Sequence, residues 1–256
     1  MAHSSLKIDI RRNRILDSLR RDGRVYISRL SQELGATPVT IRNDLSVLES
    51  DGRLQRVPGG AIHAPRAAEA AVAAPDERAA QKRAIAERMA QLVRDGDRLF
   101  MNSGTTTLAV AEALRVRRGL HIVTNSIAVA QALGVEPTFQ VLLLGGAINV
   151  QYGFLFGGDT QEQIGRYQAD WAVLAVDSVS AAGGVTTYHP EEAILNRCMI
   201  ERAHHTVVVA DHTKIGRAGF ARFHPADASL RLITDAGAIG PELRELGEQG
   251  VEIDIA

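Results

Sequence analysis

The segment ATPVTIRNDLSVLESDGRLQRVPGGAI contains the pattern that most restricts the fold of this chain. Thr37 can cap a helix with its hydroxyl, and Pro38 then occupies the first helical position, where its missing N–H breaks no hydrogen bond. Ile41, Leu45 and Leu48 follow at helical spacing, which indicates one buried stripe and leaves the other faces polar. The segment therefore predicts a short amphipathic helix that begins at its proline.

Two more helices precede this one, and a β-hairpin follows it. Residues 14–21 and 27–34 both carry Ile or Leu at helical spacing, and Gly35 lies in the short connection before the third helix, as in a helix-turn-helix. Residues 54–62 alternate apolar and polar side chains and include a double glycine, which predicts a small β wing. The sequence therefore predicts a winged helix-turn-helix. Its third helix would enter the major groove of DNA, and its wing would lie beside phosphates.

The charge distribution favours DNA binding over a bare three-helix packing module with a solvated polar face. Residues 1–63 hold 11 Lys and Arg against 7 Asp and Glu, a net charge of +4, whereas residues 64–256 hold 18 against 23, a net charge of −5. Only the first part of the chain is basic, as expected for a DNA-reading head. The side chains expected to face DNA are Thr37, Val39, Thr40, Arg42, Asn43, Arg53 and Arg56.

These motifs resemble the N-terminal domain of the DeoR family of bacterial transcription regulators. Thr-Ile-Arg-Asn-Asp-Leu at 40–45, Leu-Glu at 48–49 and Arg-Val-Pro-Gly-Gly-Ala at 56–61 follow the family pattern in its recognition helix and wing. The chain departs from that pattern at Asn43, where the family has Arg, and at Pro58, where it has His.

The rest of the chain alternates between short apolar runs and amphipathic stretches. Strands are predicted at 98–102, 120–124, 140–144, 171–176, 206–210, 231–234 and 251–255. Helices are predicted from 76 to about 95 and at 106–115, 127–133, 160–167, 191–203 and 241–249. This alternation is typical of a Rossmann-like, mostly parallel α/β sheet that is covered on both faces. We therefore expect a winged helix-turn-helix domain at 1–63, an Ala-rich linker at 64–75 and an α/β effector domain at 76–256.

Small and polar residues follow several of the predicted strands, where α/β folds bind ligands. Residues 102–107, NSGTTT, open a helix after the first of these strands, and backbone N–H groups at such a helix start attract anions. Polar residues also follow later strands at 124–126, 177, 183–187 and 211–214. Each stretch alone would be read as a cap or a turn, but their convergence on one edge of the sheet predicts a ligand site.

This second part also resembles the sensor domain of the DeoR family, which shares its fold with ribose-5-phosphate isomerase and glucosamine-6-phosphate deaminase. The resemblance implies that the phosphate of a sugar phosphate is held by Ser103, Gly104, Thr105, Thr106 and Lys214, with Lys82 nearby. It implies that the sugar faces Asn102, Asn125, Gly145, Asp177 and Glu192. The chain departs from the family pattern at Asn149, Asn196 and His212-Thr213.

An enzyme of the same fold, a sugar-phosphate isomerase or deaminase, is the main alternative. Such chemistry needs a carboxylate base, which Asp177 could supply, and commonly a second acid. Residues 177–180 supply no second acid nearby, and a DNA-binding head has no role in isomerisation. We therefore expect a regulator rather than an enzyme, without a cofactor. We also expect no metal site, because the histidines lack acidic partners in a His-x-x-x-His frame.

The expected partners and location follow from the same features. We expect a repressor of a carbohydrate-utilisation operon that binds double-stranded operator DNA and responds to a phosphorylated sugar. A homodimer or homotetramer is expected, because one head reads only a few base pairs. No apolar run approaches the roughly 18 residues that span a bilayer, and the N-terminal residues lack the order of a signal peptide, so a cytoplasmic protein is expected.

Overall fold

The computed structural model describes residues 11–12, 14–16, 18–19, 22–50, 54–63, 78–150, 152–217 and 219–256. The chain forms two compact units, Met1–Arg66 and Ala67–Ala256. The expected linker at 64–75 lies outside the described residues, so the boundaries of 1–63, 64–75 and 76–256 stay predictions.

The first unit contains three helical segments and a three-stranded antiparallel sheet. Residues 11–12, 14–16 and 18–19 are helical, and they precede helices α1 (Ile27–Leu34) and α2 (Pro38–Ser50). Strands β1 (Arg24–Tyr26), β2 (Leu54–Val57) and β3 (Gly60–His63) pair in the order β1-β3-β2. The predicted winged helix-turn-helix is confirmed, and β1 is an additional strand of the wing sheet that the sequence did not reveal.

The beginning of α2 forms as its sequence predicts. The backbone N–H of Thr40 donates to the hydroxyl of Thr37 over 3.2 Å, so Thr37 caps the helix. Ile41, Leu45 and Leu48 are fully buried in the core of this unit. Helix α2 therefore turns its apolar stripe inward and its polar faces outward.

The wing packs closely against β1 at Gly60. A Cβ atom at Gly60 would lie 1.9 Å from the carbonyl oxygen of Val25, so only glycine allows the two strands to approach. Val57 pairs with Gly60 across the hairpin, which leaves Pro58 and Gly59 as a two-residue turn. The double glycine is therefore a packing requirement as well as a turn signal.

Asp44 joins α2 to the helical residues at the beginning of the chain. Its side chain is 4% exposed and accepts hydrogen bonds from Nε of Arg11 and, over 3.1 Å, from Nε of Arg12. Charge-assisted bonds of this kind are stronger than neutral ones, and a buried charge requires them. Asp44 therefore fixes the orientation of the recognition helix within the unit.

We expect Asp44→Ala to destabilise the first unit by roughly 2 kcal/mol, because it removes charge-assisted hydrogen bonds to two arginines. Hydrogen-exchange mass spectrometry of the α2 amides measures this local stability. Asn43→Ala, at the exposed neighbouring position, is the control. Equal exchange rates in the two variants would show that the Asp44 contacts contribute nothing to stability.

The second unit is built on a seven-stranded sheet in which every neighbouring pair is parallel. Its strands are β4 (Arg98–Met101), β5 (His121–Thr124), β6 (Gln140–Leu143), β9 (Ala169–Ala175), β12 (Ala203–Val209), β14 (Leu230–Thr234) and β15 (Glu252–Ile255), in the order β15-β14-β12-β9-β4-β5-β6. All seven predicted strands are confirmed, with ends within three residues of the predicted ones.

Helices connect these strands and cover the sheet. They are α3 (Ala79–Leu92), α4 (Thr105–Ala113), α5 (Ile127–Leu133), α6 (Gly158–Ile164), α7 (Pro190–Glu201) and α8 (Pro241–Glu248), with short 3-10 turns at Leu114–Val116 and His212–Lys214. Two hydrophobic clusters, one around Phe100 and one around Met101, contain alternate residues of the central strands. Because successive side chains of a strand point to opposite faces, these clusters form the core on the two sides of the sheet.

Two small antiparallel sheets were not predicted. One pairs β7 (Ala147–Asn149) with β8 (Phe154–Phe156), and the other contains β10 (Ser178–Ser180), β11 (Gly184–Thr187) and β13 (Ala221–His224) in the order β10-β11-β13. They follow the carboxyl ends of β6 and β9, so they stand beside the edge where the ligand site is expected. No helix in the described part of the chain is long and apolar enough to cross a membrane.

Candidate functional site

The candidate DNA-binding side chains lie mostly on the outward faces of α2. Arg42 and Asn43 are exposed, and Val39 is 62% exposed although it is apolar. Thr37 and Thr40 lie at the helix start, where their hydroxyls are 2.9 Å apart. Arg53 lies outside the described residues, so its predicted contact with DNA stays a prediction.

Arg56 connects the wing to the recognition helix. Its backbone N–H donates to Oε1 of Glu49 over 2.8 Å, and its Nη1 donates to Oγ of Ser46 over 2.7 Å. A guanidinium carries five N–H donors, so this exposed side chain can hold the helix and still reach a phosphate. The sequence predicted that Arg56 contacts DNA, but it did not predict these hydrogen bonds to α2.

The candidate phosphate site lies at the beginning of α4. The cap residue Gly104 supplies no side-chain hydrogen bond, and the described residues show no side chain that caps this helix. Gly104 precedes it with φ 152°, and a Cβ atom there would lie 2.6 Å from Cβ of Ala175. Nζ of Lys82, a residue that is only 9% exposed, donates to Oγ1 of Thr105 over 2.8 Å. A buried cation thus stands beside an uncapped helix start, as an anion site requires.

The remaining predicted phosphate ligands surround this helix start. Ser103 is half-buried, whereas the Thr106 side chain is buried. Nζ of Lys214 lies 4.0 Å from Oδ1 of Asp177 and is partly exposed. The structure therefore brings the predicted phosphate residues to the carboxyl edge of the sheet, and Lys214 also approaches a predicted sugar ligand.

Asp177 and Glu192 meet at the hydroxyl of Thr187. Oγ1 of Thr187 lies 3.0 Å from Oδ2 of Asp177 and 2.7 Å from Oε2 of Glu192. A hydroxyl has one hydrogen, so both contacts are hydrogen bonds only when one of the carboxyl groups is protonated and donates to the oxygen. The expectation that no second acid lies near Asp177 is therefore wrong, because the fold brings Glu192 from α7 to the end of β9.

Glu192 is the carboxyl group of this pair whose pKa is raised. The pKa of Glu192 is raised from its ordinary value of 4.5 to about 7, mainly by burial and also by the nearby charge of Asp177, against the lowering effect of the hydroxyls of Thr187 and Ser103. Asp177 is less buried and accepts a 2.9 Å bond from the backbone N–H of Tyr188. Glu192 is therefore protonated in a substantial fraction of molecules near neutral pH.

Tyr152 and His189 form an aromatic wall that the sequence reading missed. Their ring centroids are 4.2 Å apart with an edge-on geometry, and Phe154 lies 6.0 Å from the His189 ring. Burial, followed by the charges of Asp177 and Glu192, raises the pKa of Tyr152, and burial lowers the pKa of His189. Both rings are therefore neutral at pH 7. The polar residues after the strand ends do not reveal these two rings, because Tyr152 lies in the β7–β8 hairpin, which was not predicted.

Three predicted sugar ligands form most of their hydrogen bonds with other residues of the protein. Asn102 donates from Nδ2 to the carbonyl of Ala175 and to Oδ1 of Asn196 and accepts from the N–H of Ala175, so it joins β4 to β9. Gly145 is bonded to Gln163 and Thr160 through its N–H and carbonyl. Asn125 is fully buried and bonded to Leu155, but its Oδ1 has no partner.

Glu192 makes the stability of the second unit depend on pH. Folding raises its pKa, so the folded state binds the proton more tightly than the unfolded chain does between pH 4.5 and about 7. The free energy of unfolding therefore falls as pH rises through this window. Relative to Glu192→Gln, which does not titrate, the wild type should lose on the order of 3 kcal/mol between pH 4.5 and pH 8.

Urea unfolding followed by the fluorescence of Trp171, the single tryptophan of the chain, measures this change. Glu201→Gln, on the same helix but exposed, should follow the wild type at every pH. If the free energy of unfolding changes with pH in the same way in the wild type and in Glu192→Gln, the pKa of Glu192 is not raised by folding.

Comparison with known proteins matches both units of the chain. Residues 11–66 match a DeoR-like helix-turn-helix domain, and residues 77–236 match the DeoR C terminal sensor domain. The glycerol-3-phosphate regulon repressor of Escherichia coli strain K12 is 29% identical over 250 residues, which cover 96% of this chain and 98% of that protein. The HTH-type transcriptional repressor GlcR of Bacillus subtilis strain 168 is 30% identical over 223 residues, with 86% of each chain covered.

Among solved structures, ribose 5-phosphate isomerase A of Methanocaldococcus jannaschii aligns with 54% of this chain and 55% of its own, at 14% identity and a TM-score of 0.40. The two family matches span the recognition helix, the wing and all the candidate ligand residues from Lys82 to Lys214. They confirm the resemblance drawn from those motifs, and the chain belongs to the DeoR family of transcriptional regulators.

Proposed function

We propose that the protein is a repressor of a carbohydrate-utilisation operon and that a phosphorylated sugar or sugar derivative releases it from operator DNA. The observation that carries this proposal is the cation-lined start of α4, where Lys82 and Thr105 stand at an uncapped helix end beside the sheet edge. The basic winged helix supports the DNA-binding part. The names of the relatives, repressors of the glycerol-3-phosphate regulon and GlcR, support the regulatory part.

The ligand lies with its phosphate at α4 and its sugar toward the carboxylates. The N–H groups and hydroxyls of residues 103–106 surround the phosphate, with Lys82 and Lys214 as cations. Asp177 and Glu192 accept hydrogen bonds from the sugar, and Asn125 offers an unpartnered amide oxygen. Asn102 and Gly145 act mainly by fixing the strand ends around the ligand.

Release from DNA requires a coupling free energy between the two units. The sugar phosphate must bind more tightly to the arrangement that does not bind DNA, and operator DNA must weaken sugar-phosphate binding by the same factor. The protein acts in the cytoplasm as a homodimer or homotetramer, since two heads on a repeated operator supply useful specificity. Light scattering that gives a mass of 27.6 kDa with and without DNA would contradict the oligomer.

The alternative is a sugar-phosphate isomerase or deaminase. The Asp177–Glu192 pair favours it, because two neighbouring carboxyl groups, one of them Glu192 with its raised pKa, could move a proton between two substrate carbons. Proton exchange or turnover of sugar phosphates, followed by NMR with the full chain, would support the enzyme.

The first step is a screen of sugar phosphates for a rise in melting temperature, because a ligand that binds the native state stabilises it by mass action. We expect Lys214→Ala and Thr105→Ala to leave operator affinity nearly unchanged and to weaken the response to the ligand by roughly ten- to a hundredfold. Each change removes a charge-assisted hydrogen bond worth about 1.5–3 kcal/mol.

Operator binding titrated with that ligand measures this response. Arg83→Ala is the matched control, because Arg83 follows Lys82 in α3 but its side chain is 80% exposed. If both Lys214→Ala and Thr105→Ala leave operator DNA at the same ligand concentration as the wild type, the ligand phosphate does not bind at the start of α4.

In the head, we expect Arg42→Ala and Arg56→Ala each to weaken operator binding and to flatten its dependence on salt. Each lost phosphate contact changes the slope of log affinity against log salt by about 0.9. Fluorescence anisotropy at several salt concentrations measures the slope, with Arg83→Ala again as the control. An unchanged slope and affinity in both variants would remove these arginines from the interface.

A further inference from the structure

Building on the function proposed above, we infer that the effector carries a protonated amino group in addition to its phosphate and that this group binds between Asp177 and Glu192. The ligand class is therefore an aminodeoxy sugar phosphate. The inference concerns the sugar end of the site, which the phosphate residues do not determine.

The charges of the site divide into a cationic end and an acidic end. In the described part of the second unit, the ion pair of Asp177 is with Lys214, at 4.0 Å, and Glu192 has no ion pair within that distance. Lys214 is also a predicted phosphate ligand. When a phosphate draws Lys214 toward α4, two neighbouring carboxyl groups remain at the sugar end without a cation, and such a pair attracts a positive charge.

The contact of Thr187 with both carboxyl groups marks the position that a ligand cation would take. Thr187 has one hydroxyl hydrogen, so both contacts are hydrogen bonds only when one carboxyl group carries a proton. An ammonium group in this position would favour the ionised form of Glu192 and would release its proton. The raised pKa of Glu192 agrees with this, because burial and Asp177 cause it and a cation would offset both.

Asn125 is an independent observation that points to a hydrogen-bond donor. Its side chain is fully buried at the end of β5, the strand next to β4 and Ser103. Its Nδ2 and its backbone carbonyl are bonded to Leu155, which fixes the amide, and its Oδ1 has no partner. A buried acceptor without a partner is unfavourable, so a ligand donor is expected to fill it.

The number of donors favours an amine over a hydroxyl. Asp177 and Glu192 present acceptor oxygens, and Asn125, at the end of β5, has an amide oxygen without a partner among the described residues. An ammonium group has three N–H donors and a positive charge, whereas a sugar hydroxyl has one donor and no charge. A neutral sugar phosphate could satisfy these acceptors only with several separate hydroxyls, and it would leave the carboxylate charge uncompensated.

Matched pairs of ligands test the inference directly. Glucosamine 6-phosphate and glucose 6-phosphate, galactosamine 6-phosphate and galactose 6-phosphate, and mannosamine 6-phosphate and mannose 6-phosphate each differ by one amino group in place of one hydroxyl. We expect the amine of at least one pair to bind the full chain roughly ten- to a hundredfold more tightly at pH 7, measured by isothermal titration calorimetry. Equal or tighter binding of the neutral sugar in every pair that binds would overturn the inference.

Glu192→Gln locates the effect, because it removes the charge and keeps the size of the side chain. The ratio of the two affinities within the preferred pair should fall toward one, whatever the variant does to both affinities. Glu201→Gln, an exposed change on the same helix, should keep the wild-type ratio. Lys214→Ala should weaken both members of the pair. A wild-type ratio in Glu192→Gln would contradict an amine at this position.

The outcomes separate the two proposals. If sugar phosphates bind but the amino sugars bind no more tightly than the neutral ones, the proposed sugar-phosphate sensor is supported and the inferred amino group is excluded. If none of the six compounds binds but a sugar phosphate without an amino group does, the amine is again excluded. If no sugar phosphate and no inorganic phosphate binds the wild type, the proposed function fails as well.

Discussion

The contact of Thr187 with two carboxyl groups is the interaction on which the chemistry of the sensor unit depends. Asp177 follows β9, Thr187 ends β11, Glu192 belongs to the first turn of α7, and Ser103 follows β4. Four separate elements therefore meet at these two carboxyl groups. They can do so because every strand of the large sheet runs in the same direction, which brings the ends of β4 and β9 to one edge. The small sheet β10-β11-β13 then folds Thr187 back onto that edge.

The sequence revealed the parts of the fold whose physical cause is local. The seven strands of the parallel sheet are continuous apolar runs, because both faces of the sheet are buried, and the cap formed by Thr37 depends on three consecutive residues. The strands of the two small sheets have only three or four residues each and were missed. Their stability depends on pairing with distant segments, such as β11 with β13, and no local pattern records that pairing.

The candidate ligand residues follow from the sequence as a list, but their arrangement does not. Polar residues after strand ends pointed to Ser103, Asp177 and Lys214, and the family resemblance added Glu192. Reading only residues 177–180 for a second acid failed, because the second carboxyl group comes from 15 positions further along the chain. Asn102 is a different case, because its buried amide is fully hydrogen-bonded within the protein. A polar residue at a strand end can be there to join two strands, and only its hydrogen bonds distinguish that role from ligand binding.

In the proposed mechanism, the magnitude of the coupling restricts which contacts could transmit ligand binding to DNA binding. Reversing a two-state equilibrium from 1:99 to 99:1 requires about 5.5 kcal/mol of differential binding. Two charge-assisted hydrogen bonds to a phosphate, at about 1.5–3 kcal/mol each, reach that amount only if they are formed in one arrangement and absent from the other. The contacts best suited to this join separate elements: Lys82 of α3 with Thr105 of α4, and Lys214 of the 3-10 turn with Asp177 after β9. In the proposed site, a phosphate that binds all of these at once would join four segments: α3, α4, the 3-10 turn and the residue after β9. A relative displacement of α3 and α4 would separate the groups that hold that phosphate.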